Sequence, residues 1–80
     1  MKWDEDKAPT IRSATIYFGG FMATINGPYD KKEHGFVYMV SIYGTHPSLK
    51  AENMDDAKAE APAVIKTALE KALRELNEPV

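Results

Sequence analysis

Two histidines, His34 and His46, are the side chains of this 80-residue chain best suited to acid–base chemistry or metal binding. The chain has no cysteine, which excludes thiolate nucleophiles and thiolate metal ligands. Ser48 lies two residues after His46, but Pro47 between them stiffens the backbone. We therefore interpret these three residues as a turn and not as a nucleophile with its base.

Acidic residues near His34 are the other candidates for a metal site. Asp30 and Glu33 lie close to it in the sequence, but neither an HxH nor an HExxH spacing occurs. Solvated loop residues explain this cluster. Gly19-Gly20 lacks the helix and the lysine that follow a phosphate-binding loop. We expect no metal, no cofactor and no enzymatic activity.

Residues 35–44 form the most strand-like segment of the chain, and the other elements are interpreted around it. Two glycines enclose eight residues that are apolar or aromatic except Ser41. This length and composition predict a strand. Both sets of alternating positions are apolar, so we expect the strand to be covered on both faces. The C-terminal helix is one cover, and a second protein is a candidate for the other.

Two further strands are predicted earlier in the chain. Residues 10–18 and 21–25 are rich in β-branched and aromatic side chains. Gly19-Gly20 between them favours a two-residue hairpin turn over a bulge in one long strand. Asn26-Gly27-Pro28 ends the second strand, and residues 26–35 form a polar loop.

A C-terminal helix is predicted after Asn53, which is a good N-cap. Asp55 and Asp56 lie in its first turn, where the helix dipole favours negative charge. Apolar residues then recur at helical spacing along one face. Pro62 lacks an amide donor inside this pattern, so we expect the helix to be kinked or split there.

Together these elements predict an α+β fold. A three-stranded antiparallel β-meander is followed by a C-terminal helix, kinked or split near Pro62, that packs on one sheet face. Residues 10–80 then form a single β-β-β-α domain, and residues 1–9 a flexible acidic arm. Trp3 in this arm is predicted to cap an edge of the core, the alternative being an exposed anchor for a partner. The uncovered sheet face is available to another protein.

Composition and charge exclude several classes of function. The net charge is −2, whereas a nucleic-acid binder is usually basic, so direct nucleic-acid binding is not expected. No apolar run approaches the roughly 20 residues needed to span a bilayer, and the first nine residues lack the apolar core of a secretory signal. We therefore expect a cytoplasmic protein without membrane contact.

Candidate contact residues come from the polar loop and from the sheet. In the loop, Tyr29 is the aromatic residue expected to be most exposed, and it is followed by two lysines. Such a loop is a plausible recognition tip. The predicted partner contacts are Tyr29, Lys31, Lys32, His34, Tyr38 and Tyr43.

The order of the elements resembles the small β-β-β-α domain of HicB-type antitoxins. There a meander is followed by a helix that opens with two acidic residues and an alanine, as Asp55-Asp56-Ala57 does here. The resemblance covers residues 10–76, but the Pro-Asp-Leu-Pro-Gly-like turn of that family is missing. In size, acidity and lack of cysteine the chain also resembles small phage-encoded inhibitors, including anti-CRISPR proteins. Many of these block a host complex by binding it.

We therefore expect a non-enzymatic protein-binding module. The phage resemblance implies that its partner is a bacterial protein or ribonucleoprotein complex, such as a CRISPR-type defence complex, in the cytoplasm of a bacterial host. Self-association as a homodimer, through a sheet edge or the uncovered face, is also expected. The alternative is a small nucleic-acid-binding domain that uses the mildly basic sheet half and the Lys31-Lys32 loop.

Overall fold

A computed structural model describes residues 2–7 and 12–78 of the chain. It confirms an α+β fold with an antiparallel sheet and a C-terminal helix. The sheet has four strands in the order β1-β2-β3-β4, each antiparallel to its neighbour. The elements are β1 (Asp4–Lys7), β2 (Arg12–Phe18), β3 (Phe21–Gly27), α1 (Lys31–His34), β4 (Met39–Ser41) and α2 (Met54–Asn77).

The prediction of three strands is wrong, because β1 forms within the segment that was expected to be an arm. It pairs with the outer edge of β2, Asp4 opposite Thr15. Its composition hides it, since acidic residues are depleted in strands. Tertiary contacts outweigh this propensity: Glu5 forms a 2.9 Å ion pair with Lys58 of α2, and Trp3 packs against the core.

The hairpin predicted at Gly19-Gly20 is confirmed. Phe18 pairs with Phe21, so the two glycines are the whole turn between β2 and β3. Their φ angles are 51° and 82°. Positive φ at both central residues is what a two-residue turn matched to the strand twist requires, and glycine adopts it without steric cost.

The strand predicted within residues 35–44 is shorter than expected. Its regular part is β4, and Tyr43, with φ of 56°, turns the chain back on itself. The returning segment then covers the outer edge of β4: Val40 N–H donates to Pro47 O (3.0 Å) and Leu49 N–H to Tyr38 O (2.9 Å). Only one face of β4 is deeply buried, because Met39 and Ser41 remain partly exposed.

The C-terminal helix α2 is continuous through Pro62, so of the kink or split predicted there the split does not occur. Asn53 caps it as expected, its side chain accepting from Asp56 N–H at 2.8 Å. Pro62 leaves one carbonyl oxygen, that of Lys58, without its helical donor. The buried residues Ala61 and Ile65 pack against the sheet on either side of it, and this packing keeps the helix continuous.

The core lies between α2 and the inner face of the sheet. Ala14 and Ala23 on the sheet and Ala57 and Ala61 on the helix are fully buried, so the two layers approach closely. No residue of α2 after Ile65 is buried. Ala68 and Leu69 still pack against the core, partly buried, whereas residues 70–77 are exposed. The described residues span 46 × 29 × 18 Å.

Candidate functional site

The polar loop predicted as a recognition tip is an ordered turn, which we call the lysine turn (residues 29–36). Asp30 caps the short helix α1, accepting from Lys32 N–H at 2.9 Å. Gly35 ends α1 in the left-handed conformation, and its N–H donates to Lys31 O at 2.8 Å. Tyr29 N–H donates to Val37 O at 2.8 Å and closes the loop. Backbone hydrogen bonds thus hold the side chains in one arrangement.

An aromatic cluster forms the base of the lysine turn. The ring of Tyr29 makes edge contacts with His34 (5.2 Å between centroids) and Phe36 (5.5 Å). Tyr29 and Phe36 are partly buried, whereas His34 is exposed. Edge-to-face contacts of this kind stabilise ring pairs beyond the area they bury. The cluster therefore presents a firm, partly apolar surface.

Charges of both signs surround this aromatic cluster. Lys31 Nζ lies 2.7 Å from Glu52 Oε1 in the loop before α2. The hydrogen bond from Lys31 and its positive charge lower the pKa of the Glu52 carboxyl. Lys32 is exposed, and it makes no ion pair within residues 2–7 and 12–78. With Asp30 and Glu33 in the same turn, the surface is mixed and not basic.

The six predicted contact residues do not form one surface. Tyr29, Lys31, Lys32 and His34 come together in the lysine turn. Tyr38 is only 4% exposed and lies against Gly27, where a Cβ atom would be 2.5 Å from the Tyr38 ring. Tyr43 is exposed at the opposite end of the sheet, with its ring centroid 5.1 Å from that of Phe21. The sheet candidates are therefore separate from the lysine turn.

A second surface, which sequence reasoning did not assemble, lies at the hairpin end of the molecule. Its side chains come from the hairpin, the turn after β4 and the end of α2, and we call it the apolar tip. Its exposed members are Phe21, Tyr43, Leu73 and Leu76. Tyr17 and Met22 are also exposed, but strand alternation places them with Thr15 and Thr24 on the outer face of the sheet. Two features of the sequence could have indicated this surface. Apolar residues flank the Gly19-Gly20 turn, and Leu73 lies outside the apolar face of the C-terminal helix.

Two depressions flank α2 between Pro62 and Glu75. A groove of about 720 Å³ separates Tyr43 and Pro47 from the helix, with Ala68 and Ala72 among its walls. On the other side, a cavity of about 220 Å³ is lined by Phe18 and Leu69. An exposed apolar region of this kind typically marks an interaction site.

The outer face of the sheet carries a row of hydroxyl groups. Thr15 and Thr24 lie opposite each other with their hydroxyl oxygens 3.1 Å apart. Ser41 Oγ lies 3.0 Å from Nδ1 of His46, so the partner of His46 is Ser41 and not Ser48. Within the described residues, no carboxylate forms an ion pair with His46. The hydrogen bond between Ser41 and His46 links the returning segment to β4. For Ser41 to act as a nucleophile with His46 as its base, a third group would have to orient the imidazole ring.

The residues considered for a metal site are separated. Asp30, Glu33 and His34 lie in the lysine turn, whereas His46 lies beside Ser41 on the sheet. In the part of the chain that the structure describes, no three His, Asp or Glu side chains form a group able to hold a metal ion. No described helix is long and apolar enough to cross a membrane.

Comparison with known proteins adds no relative from which a site could be transferred. The chain matches no protein-family model, no curated protein and no solved structure. The lysine turn and the apolar tip are therefore the two candidate sites, and both are defined by the geometry of this chain.

Proposed function

We propose that the protein is a non-enzymatic protein-binding module whose contact surface is the lysine turn. The observation that carries this proposal is the capped turn itself. It holds Lys31, Lys32 and His34 exposed above a packed Tyr29–Phe36 pair. Caps at both ends of a four-residue helix fix a segment that would otherwise sample many conformations.

Such a turn loses little conformational freedom when it binds. Ordering of loops and long side chains is one of the main costs of association, so a preformed turn binds more tightly for the same contacts. Tyrosine is enriched among the residues that dominate binding energy, and polar residues suit the rim of an interface. Tyr29 at the base and Lys32 at the edge fit these two positions.

The charge of the surface favours a protein over a nucleic acid. Asp30, Glu33 and Glu52 lie among the lysines, and Lys31 is already paired with Glu52. The outer sheet face, the other surface considered for nucleic acid, has Asp4 beside Thr15. A backbone-binding site needs uncompensated positive charge, because phosphate neutralisation dominates affinity.

The kind of partner we propose follows from the resemblance to small phage-encoded inhibitors. On this proposal, the protein occupies a surface of a bacterial protein or ribonucleoprotein complex, such as a CRISPR-type defence complex, in the cytoplasm of the host. Blocking a complex by occupying its surface requires no catalytic group. In this proposal the Ser41–His46 hydrogen bond therefore has a structural role, the joining of β4 to the returning segment.

A capture experiment with matched variants tests the proposal. Tagged wild-type protein, Lys32→Glu and Lys2→Glu are incubated with bacterial lysate and eluted in salt steps, with and without nuclease. Lys2→Glu is the control, because it changes charge equally at an exposed position near the other end of the sheet. We expect a stoichiometric protein that survives nuclease, binds Lys2→Glu normally and binds Lys32→Glu at least about tenfold more weakly.

Two results would contradict the proposal. Equal capture by Lys32→Glu and wild type would show that the lysine turn is not the contact surface. Capture that nuclease abolishes and salt reverses would instead support the nucleic-acid alternative, since counterion release makes such binding strongly dependent on salt.

A further inference from the structure

We infer that Glu60 of α2 is a positioning residue for the lysine turn, because its carboxylate fixes the backbone from which Glu52 holds Lys31. This role rests on the function proposed above, since it matters for binding only if the lysine turn is the contact surface. Two main-chain donors converge on the Glu60 side chain. Lys50 N–H donates to both carboxylate oxygens and Ala51 N–H donates to Oε1, each at 2.9 Å.

The two N–H groups that Glu60 holds have no main-chain partner in the described part of the chain. Residues 50–52 form neither helix nor strand. Among residues 2–7 and 12–78, no backbone carbonyl accepts from Lys50 N–H or Ala51 N–H. Hydrogen bonds to an ionised acceptor are roughly twice as strong as neutral ones, and Glu60 is partly buried, which limits competition from water. The carboxylate is therefore the polar contact that fixes this backbone.

Glu52 lies between two fixed neighbours. Ala51 before it is buried in the core, and its N–H is held by Glu60. Asn53 after it is the N-cap of α2. Consecutive Cα atoms are about 3.8 Å apart, so the Glu52 backbone can move little while both neighbours are held. From this position, Glu52 Oε1 lies 2.7 Å from Lys31 Nζ.

The Lys31–Glu52 contact depends on this placement, because the two side chains cannot secure it alone. They are 63% and 62% exposed, and an exposed ion pair contributes little free energy. The caps of α1 fix the Lys31 backbone, whereas Glu60 fixes that of Glu52. Without the Glu60 carboxylate, Glu52 leaves Lys31, which then samples more rotamers and loses more conformational freedom when a partner binds.

Backbone ¹⁵N relaxation of the full chain at neutral pH tests this positioning without a partner. We expect an order parameter of about 0.85 for the Glu52 amide in wild type and below about 0.6 in Glu60→Ala. Glu60→Gln keeps Oε1, which accepts from both N–H groups, so its Glu52 amide should stay near the wild-type value. Ile16→Val is the control, because it shortens a buried side chain of β2 and lowers stability through the core. Circular dichroism checks that each variant keeps its fold. A rigid Glu52 in Glu60→Ala, or an equally mobile one in Ile16→Val, would overturn the inference.

A double-mutant cycle on the affinity for the captured partner tests whether Glu60 acts through Glu52. Glu60→Ala and Glu52→Ala should each weaken binding about fivefold, because Lys31 must then be ordered when the partner binds. The double variant should bind no more weakly than either single variant, since the second substitution removes a contact that is already lost. Glu60→Gln should bind like wild type. If the two effects multiplied instead, to about 25-fold, Glu60 would act independently of Glu52 and the inference would be wrong.

Lys32→Glu, measured beside these variants, separates a failure of this inference from a failure of the proposed function. If Lys32→Glu binds the partner as tightly as wild type, the lysine turn is not the contact surface, and the proposed function fails together with the role of Glu60 in binding. If Lys32→Glu binds weakly while Glu60→Ala binds like wild type, the lysine turn remains the contact surface and only the positioning role of Glu60 is wrong. Weak binding by both, with a mobile Glu52 in Glu60→Ala, supports the inference.

Discussion

The Lys31–Glu52 contact links the lysine turn to the start of α2. Lys31 lowers the pKa of Glu52 through a hydrogen bond and through its charge. Both side chains are largely exposed, so water and salt screen the pair and its effect on stability is small. The main effect of the Lys31–Glu52 contact is to hold the Lys31 side chain in one position beside the exposed Lys32.

Removal of the lysine should change the titration of its partner. In Lys31→Met, the pKa of Glu52 should rise toward the ordinary value of 4.5, because the carboxylate loses its donor and its neighbouring charge. Titration of the Glu52 side-chain carboxyl by NMR measures this. Lys32→Met is the control and should leave the Glu52 titration unchanged. Equal titration curves in all three proteins would show that the pair is not formed in solution.

The direction of the pH effect follows from the lowered pKa. A carboxyl group whose pKa is lower in the folded state stabilises the fold above its unfolded pKa, and this contribution disappears as the pH falls through the folded pKa. For Glu52 the window lies below about 4.5. The contact is therefore intact at neutral pH, where the protein is proposed to bind its partner.

For single residues, the alternation of side chains along a strand indicated which positions are buried. The predicted partner contact at Tyr38 did not take this alternation into account. Tyr38 alternates in phase with Val40 and Ile42, and all three are buried in the core. A sheet contact at Tyr38 was therefore at odds with the alternation that predicted the strand. The grouping of Tyr29, His34 and Phe36 was not predictable in the same way, because ring contacts depend on loop geometry that no periodic pattern encodes.

Among the elements, the segment that precedes α2 is joined to that helix by a single carboxylate, that of Glu60. Glu60 accepts hydrogen bonds from Lys50 N–H and Ala51 N–H, each at 2.9 Å. Leu49 and Ala51 of that segment are buried in the core. Glu60 thus fixes a loop whose backbone donors have no strand partner, and it joins the second turn of α2 to the chain that enters it.

Truncation of this carboxylate should destabilise the whole domain. Glu60→Ala leaves two backbone donors without their charged acceptor, so we expect a loss of about 1.5–3 kcal/mol in the free energy of unfolding. Urea denaturation followed by circular dichroism measures it. Glu75→Ala removes an exposed carboxylate from the same helix and should change stability by no more than about 0.5 kcal/mol. Equal effects of the two substitutions would mean that the Glu60 contacts contribute nothing.

The elements that local signals encode were the ones that sequence predicted. Gly19-Gly20 and Asn53 mark a turn and a cap, and both are as expected. β1 was missed because its acidic residues are poor strand formers, and its pairing depends on β2 and on Lys58. Of the kink or split predicted at Pro62, the split was wrong, because buried neighbours on both sides outweigh one missing hydrogen bond.

At the scale of the whole molecule, the two candidate surfaces lie at opposite ends of an elongated chain. The lysine turn lies beside the start of α2, and the apolar tip surrounds its end. Residues this far apart, with no shared contacts, are expected to act independently. A substitution at one end should therefore leave the properties of the other end unchanged.

This independence predicts that a charge at the end of α2 leaves partner binding unchanged. On a surface coated with the captured partner, Leu73→Glu and wild type should dissociate at the same rate, because Leu73 lies at the end of α2 remote from the Lys31–Glu52 contact. Lys32→Glu should weaken binding at least about tenfold, since it reverses a charge on the lysine turn itself. Surface plasmon resonance measures all three proteins. Faster dissociation of Leu73→Glu than of wild type, in a variant whose circular dichroism is unchanged, would mean that the partner also contacts the apolar tip and that the two surfaces do not act independently.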